Sequence, residues 1–478
     1  MFQVVRNSRK PLGDQLFEEV SRLIESGRLP EGFRLPSVRQ LARRANVSPY
    51  TVTNAFQRLS AKGLVQARAG SGYFVARVRR QAVAARVEMG PSASLDPVLG
   101  FARSLLEQEN VIVPAGSGFL PAAWLAEAIP PSTLSRIGKS GAAVESASVQ
   151  GDAGLRELLA EGLRLASVPV AAGHLIVTFG ATHAFDLIAS TMLSAGDAVL
   201  VEDPGYFVLP AQLKAKGLRV IPVPRLSDGP DLEALEAVAK LHRPRMFFTQ
   251  TSLHNPTGTS ASAARCHGIL KVAERHDFLV TEDHVYSDLA SPNTVSLAQI
   301  DELQRVIYVG SFTKVLGPGL RIGFIATRLE LLRPLIEAKM LGVLSGSAVC
   351  ESVLREVLDG GKYRRHLVRL RDRIAKARAA SSRLIAAAGL NLESPSGEGI
   401  FLWARVPGHV DPDRLALDAQ SQGILLANGA LFSPTARYRD CLRFNVAYAG
   451  DPLLIQFLSA AVNRPDGEGR RSAPPPAG

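Results

Sequence analysis

At 478 residues the chain is long enough for more than one folded unit, and 46% hydrophobic with 21% charged residues is an ordinary globular mixture. The net charge of +11 is uneven: residues 1–80 hold 15 Lys/Arg against 5 Asp/Glu, while the other 398 hold 40 against 39, so the basic excess belongs to the N-terminal segment, as in a nucleic-acid-binding module on a near-neutral body. Scattered Cys266, Cys350 and Cys441 give neither a disulfide framework nor a metal-binding spacing, no apolar run reaches the ~20 residues of a membrane span, and Met1–Lys10 is polar and basic without a secretory pattern, which together predict a cytosolic protein with no membrane partner.

In chain order, Pro11–Ser26 reads as a helix with Leu12, Leu16, Val20, Leu23 and Ile24 on one face and Gly27 as its stop. Ser37 and Gln40 have capping-box spacing, opening a short helix with Val38, Leu41 and Ala42 inward. After a turn at Asn46-Val47, Ser48 caps a third helix with Pro49 in its first position. There Val52, Ala55, Phe56 and Leu59 face inward, and Tyr50, Thr51, Thr53, Asn54, Gln57 and Arg58 face outward. Gly63 ends it, and Leu64–Arg68 with Tyr73–Val75 read as a hairpin through Ala69-Gly70-Ser71-Gly72.

Helix, helix, turn, helix, hairpin is the order of a winged helix-turn-helix, whose third helix enters the major groove by its N-terminal residues. The expected DNA-facing residues are Arg34, Ser37, Arg39, Arg43, Ser48, Tyr50, Thr51, Thr53, Asn54 and Arg58, with Gly70 and Gly72 letting the wing approach the backbone. The stretches Gly32–Ala42, Val47–Val52, Leu59–Leu64 and Gly70–Val75 closely resemble the GntR family of bacterial transcription regulators, in order and over the whole module. Pro49 departs from it, standing where the family often has arginine.

Residues 1–78 are therefore expected to form the DNA-binding domain, 79–98 a linker marked by Gly90-Pro91-Ser92, 99–463 a second domain, and 464–478 a Pro/Gly-rich disordered tail. From about residue 99, β-branched apolar runs alternate with helical patterns: Leu175–Thr178, Ala198–Glu202, Arg219–Val223, Arg245–Thr249, Phe278–Glu282 and Val306–Gly310. This predicts an α/β domain with a mostly parallel sheet covered on both faces.

Strand Val306–Gly310 delivers Ser311 and Lys314 to the carboxyl edge of that sheet, where such folds bind ligands. A lysine between a hydroxyl and Arg321, across the Gly317-Pro318-Gly319 turn, suits an amine bonded to an aldehyde cofactor whose phosphate needs anchors. Asp283 ends another apolar run, where a carboxylate can hold a pyridine nitrogen protonated, and Tyr286 follows within reach of a ring oxygen. Asn255-Pro256-Thr257-Gly258 follows a further strand and offers an amide to the same oxygen. Gly180-Ala181-Thr182 opens a helix, and backbone N–H groups there suit an anion. Tyr206 can stack on a ring or simply fill the core. Arg443, inside an apolar strand, wants a carboxylate from a ligand or from a structural partner.

Over roughly residues 110–460 this set, in this order, closely resembles the fold type I pyridoxal-phosphate enzymes of the aspartate aminotransferase group. The resemblance implies Lys314 as the aldimine lysine, Asp283 on the pyridine nitrogen, Asn255 and Tyr286 on the ring oxygen, and Tyr206 stacked on the ring. It also implies Gly180, Ala181, Thr182, Ser311 and Arg321 near the phosphate, Arg443 on an amino-acid carboxylate, and a smaller C-terminal α+β subdomain. Two departures stand out: Thr182-His183 where a glutamine pair is common, and Ser146 where a tyrosine often reaches the neighbouring subunit's phosphate.

A GntR-like head on such a body resembles the MocR (GabR-like) subfamily. The implied protein is a dimeric, pyridoxal 5'-phosphate-dependent transcription regulator that binds a double-stranded DNA operator and senses an amine, an amino acid or the cofactor itself. The alternative is a catalytically active aminotransferase carrying a DNA-binding domain. Lys314, Asp283 and Tyr286 are the catalytic candidates in that case.

Overall fold

A computed structural model describes residues 11–25, 29–68, 72–76, 97–107, 110–291, 294–394 and 397–463. The expected stop at Gly27, Gly70 at the wing tip, almost all of the 79–98 linker and the 464–478 tail lie outside the described residues. The chain divides into two compact units, Met1–Ser94 and Leu95–Gly478.

In the first unit, α1 (Leu12–Glu25), α2 (Val38–Ala45) and α3 (Pro49–Ala61) precede the antiparallel pair β1 (Val65–Arg68) and β2 (Gly72–Val75). The α2 capping box is formed in both directions, with the Gln40 N–H donating to Ser37 Oγ at 3.3 Å and the Ser37 N–H donating to Gln40 Oε1 at 3.1 Å. Asn46 adopts left-handed backbone at φ +51°, which ends α2 and turns the chain into α3. Ser48 Oγ accepts the Thr51 N–H at 3.1 Å, so α3 begins where its cap requires. Leu16, Val20, Leu41, Val52, Ala55, Phe56 and Leu59 close one core, with Val65 and Val75 sealing it from the hairpin side.

The second unit is built on an eight-stranded sheet of order β3-β10-β9-β8-β7-β4-β5-β6. Its strands are β3 (Leu175–Thr178), β4 (Ala198–Asp203), β5 (Arg219–Leu226), β6 (Gly229–Pro230), β7 (Met246–Thr249), β8 (Leu279–Asp283), β9 (Val306–Ser311) and β10 (Gly323–Ala326). All six runs expected from the sequence are strands, and β4, β5, β7, β8 and β9 pair in parallel. Only β10 and β6 run against their neighbours. Alternate residues feed two cores: Leu200, Phe247, Val280 and Val306 enter one, and Val199, Val201, Met246, Phe248 and Ile307 the other. A sheet buried on both faces explains why these strands read as continuous apolar runs.

Polar residues appear where the strands end. Glu202 and Asp203, Thr249, Asp283 and Ser311 are all buried at the carboxyl edge. A second, antiparallel sheet of order β11-β12-β14-β13 follows, made of β11 (Asn391–Leu392), β12 (Phe401–Arg405), β13 (Ala427–Asn428) and β14 (Cys441–Asn445). Its inner strand β14 carries Arg443, paired in register with Trp403 and Ala427. No helix among the described residues is long and apolar enough to cross a membrane.

Candidate functional site at the carboxyl edge of the sheet

Lys314 sits one turn beyond β9, in the short helix Thr313–Leu316. Its Nζ donates to the Gly118 carbonyl at 3.0 Å and lies 4.9 Å from the Phe119 ring centre and 5.4 Å from that of Tyr286. Burial among these groups, with Arg443 and Arg321 nearby, lowers its pKa to about 8, and Asp283 partly opposes the shift. A lysine so placed is a competent nucleophile near neutral pH. Asp283, at the end of β8, is held by the Val285 N–H donating to Oδ1 at 3.3 Å. Burial pushes it up to about 7, with Lys314 pulling the other way.

Tyr286 is buried against Phe401, edge to face at 5.7 Å, and burial pushes its phenol above the usual range. Asn255 is buried, and its Oδ1 accepts from Arg443 Nη1 at 2.7 Å. Arg443 is 1% exposed. Its Nη2 donates to the Gly116 carbonyl at 2.5 Å, and its guanidinium packs between the Phe401 and Phe432 rings at 4.4 and 4.6 Å. Its Nε has no hydrogen-bond partner, and no carboxylate pairs with it among the described residues. Burial lowers it to about 10.

The glycine turn meets Arg321 at the start of a helix. Gly180 begins the helix Gly180–Met192 at φ +76°, and a Cβ there would sit 3.4 Å from Arg321 Nη2. Arg321 reaches back to donate to the Phe179 carbonyl at 3.2 Å. Ser311 Oγ lies 3.1 Å from Thr313 Oγ1 and accepts the Thr313 N–H at 3.3 Å. Burial pushes the Tyr206 phenol above its ordinary pKa, with the Thr182 side chain opposing the shift. Tyr206 also meets Phe207 edge to face at 5.5 Å. His183, at one departure from the aminotransferase pattern, folds back so that its Nδ1 accepts the Phe179 N–H at 3.1 Å. Burial and nearby Lys339 lower its pKa, which keeps the imidazole neutral for that role.

Sequence reasoning missed the Gly116–Phe119 segment, whose carbonyls receive Lys314 and Arg443, and which Asn445 Nδ2 ties down through the Ser117 and Phe119 carbonyls at 3.0 and 2.8 Å. Its only local signal was the Gly116-Ser117-Gly118 spacing; a Cβ on Gly116 would fall 2.6 Å from the Ala427 nitrogen. Also missed was a buried ion pair behind Asn255, formed by Glu202 of β4 and Arg225 of β5.

On the DNA-binding unit, Arg34, Arg39, Arg43 and Asn54 are exposed, and Tyr50 is 78% exposed. The Ser37 and Ser48 hydroxyls are engaged in caps, and Thr53 Oγ1 donates to the Pro49 carbonyl at 3.0 Å. Arg58 pairs with Asp14 of α1 at 2.5 Å and lies 4.5 Å over the Phe17 ring, which gives it a role inside the unit. Gly72 has φ +100° beside Arg34.

Comparison with known proteins agrees with both units. Residues 119–458 match aminotransferase class I and II, and residues 12–75 match the bacterial regulatory proteins of the gntR family. The chain belongs to the MocR-like regulators. It is 29% identical over 454 residues to a Rhizobium meliloti protein described as a probable rhizopine catabolism regulatory protein, MocR, covering 91% of this chain and 89% of that one. It is 27% identical to the HTH-type transcriptional regulator YdcR of Escherichia coli, covering 91% and 94%. The body of this MocR-like chain is similar to the α-aminoadipate aminotransferase LysN of Thermus thermophilus, whose structure holds N-(5'-phosphopyridoxyl)-L-leucine. That likeness has a TM-score of 0.69 at 26% identity and covers 78% of this chain and 98% of LysN. The protein is thus a regulator in which a GntR DNA-binding head is fused to an aminotransferase-like body.

Proposed function

We propose that this MocR-like regulator carries pyridoxal 5'-phosphate on Lys314 and changes its hold on DNA when an amine or amino acid enters the same site. The residues present fit the group. Buried Arg443 keeps a free Nε and no anion, and Tyr286 and the Asn255 Nδ2 make no hydrogen bond among the described residues. Gly180 leaves the room that a phosphate beside Arg321 would need. The cofactor supplies an aldehyde that bonds amines and a ring that withdraws electrons.

In this reading Asp283 holds the proton on the pyridine nitrogen, and Asn255 and Tyr286 donate to the ring oxygen. Tyr206 covers the ring. Gly180, Ala181, Thr182, Ser311 and Arg321 hold the phosphate, by backbone N–H groups, hydroxyls and a guanidinium. Arg443 takes the effector carboxylate. The observation that carries the reading is the buried, anion-free Arg443 beside a lysine whose pKa is depressed to about 8. Lys314 would hold the cofactor's aldehyde, and an effector amine competing for that aldehyde would change the charge that Nζ presents to Arg443 and Asp283. Two copies acting together would let the heads read paired half-sites, in the cytoplasm.

The test is footprinting of the chain's own upstream DNA with a panel of amines and amino acids, for wild type and Lys314→Ala. The variant is expected to bind DNA and to lose its response to the effector. An unaltered response would contradict the proposal. Lys314, Asp283 and Tyr286 stand together as the resemblance to aminotransferases implies for catalysis, which supports a second reading as a working aminotransferase. Many turnovers with an amino donor and a 2-oxo acid would establish that reading, and conversion limited to one half-reaction would favour the sensor. If the cofactor itself is the signal, loaded and unloaded protein will differ in DNA affinity with no amine present.

A further inference from the structure

Behind Asn255 lies a buried polar cluster that the site as described does not use. Glu202 pairs with Arg225, and both side chains are shut off from solvent. The Gln250 N–H donates to Glu202 Oε1 at 2.7 Å, and the Thr249 hydroxyl donates to the same oxygen. Arg225 Nη1 also donates to the Gln250 carbonyl at 3.3 Å, and its Nη2 donates to Thr259 Oγ1 at 3.4 Å. His254 Nε2 lies 3.3 Å from Glu202, and burial drives its pKa well below the ordinary value, so the ring is neutral; its Nδ1 pairs with Thr257 Oγ1 at 2.9 Å. The backbone of Gln250 is thus gripped on both sides by one ion pair.

The Gln250 side chain then hands this rigidity to the site. Its Oε1 accepts the Asn255 N–H at 2.6 Å, and the Asn255 Oδ1 accepts from Arg443. The loop is short: the Gly258 N–H donates to the His254 carbonyl and the His254 N–H to the Thr259 carbonyl, each at 2.7 Å. Among the described residues Gln250 is the one side chain hydrogen-bonded to the Asn255 backbone, and it is 5% exposed.

We infer that Gln250, fixed by the buried Glu202–Arg225 pair, is a positioning residue for the cofactor site: it sets the Asn255 carboxamide so that one end meets Arg443 and the other is offered to the cofactor's ring oxygen. The inference rests on the cofactor reading above. A ring oxygen that receives a hydrogen bond from Asn255 Nδ2 is easier to ionise. Loosening Asn255 therefore raises the pH at which the visible band of the loaded protein changes.

The experiment is a pH titration of that band in wild type, Gln250→Met, Asn255→Ala, the double variant, and Thr249→Val. Gln250→Met is expected to move the midpoint up by about one unit, a tenfold change in proton affinity. The double variant is expected to match Asn255→Ala alone, because Gln250 acts through Asn255. Thr249→Val removes a bond to the same Glu202 oxygen without touching Asn255, so it should lower the melting temperature and leave the midpoint unchanged. An unmoved midpoint in Gln250→Met, or a shift that adds fully to that of Asn255→Ala, would overturn the inference. Should the Met variant not fold, Gln250→Ser makes the same comparison. If wild type itself takes up no cofactor and has no band, the cofactor reading fails and this inference with it; a normal wild-type band that Gln250→Met leaves unmoved defeats the inference alone.

Discussion

Asp283 and Lys314 titrate against each other's interest in the unliganded protein. Burial holds Asp283 protonated between its ordinary 3.8 and about 7, where the unfolded chain has released the proton, so its contribution to stability falls as pH rises through that window. Burial depresses Lys314 from 10.5 to about 8; between those values the unfolded chain holds a proton that the folded one lacks, so its contribution recovers as pH rises. The pair therefore places a stability minimum between about pH 7 and 8, in the range where a cofactor with a ring nitrogen and an aldehyde would relieve both groups. Asp283→Asn is expected to remove the acidic limb: the melting temperature of the cofactor-free variant should exceed that of wild type at about pH 7.5 and converge with it near pH 4. A wild-type curve unaffected by the substitution would show that the buried carboxyl carries no such cost. Arg443 gives a second residue-scale prediction. Arg443→Met should weaken an amino-acid effector at least about tenfold, because a buried charge-assisted contact is lost. An amine lacking the carboxylate should bind both forms alike, and equal losses for the two ligands in a titration would refute the assignment.

The elements differ in how openly the sequence announced them. Ser37 and Gln40 stood at capping-box spacing and form that box, so Ser37→Ala should cost the head about 1 kcal/mol, read as a lower melting temperature of its transition by calorimetry. The parallel strands were legible because burial on both faces leaves runs such as Val-Leu-Val and Met-Phe-Phe without interruption. Strand β10 was not, since Gly323 opens it directly after the Arg321 turn and its place is fixed by a neighbour across the sheet: a Cβ on Gly323 would fall 2.8 Å from the Gly180 carbonyl carbon. The C-terminal sheet includes two-residue strands, too short for any period to register. Within the site, residues at the ends of readable strands could be named from local pattern alone. The Gly116–Phe119 carbonyls and Gln250 could not, because their partners are far away in the chain, Asn445 and Arg443 for the first and Glu202 for the second.

At the scale of the molecule, charge and chemistry are partitioned between two units, a basic head of 15 Lys/Arg to 5 Asp/Glu within residues 1–80 and a near-neutral body. A head that holds DNA through phosphates should do so with a steep salt dependence. Arg39→Ala, exposed in α2, is expected to weaken binding to all sequences alike and to reduce the slope of log affinity against log salt by about 1. A loss confined to one operator would instead make Arg39 a base reader. On the proposed reading the body would grip a small aldehyde covalently at one amine, and every role assigned to the site depends on that grip. The most direct measurement is borohydride reduction of protein loaded with pyridoxal 5'-phosphate, followed by mass mapping of its peptides. A phosphopyridoxyl adduct is expected on the peptide bearing Lys314 and its loss in Lys314→Ala; no adduct, or one that persists in the variant on other lysines, would contradict the covalent assignment.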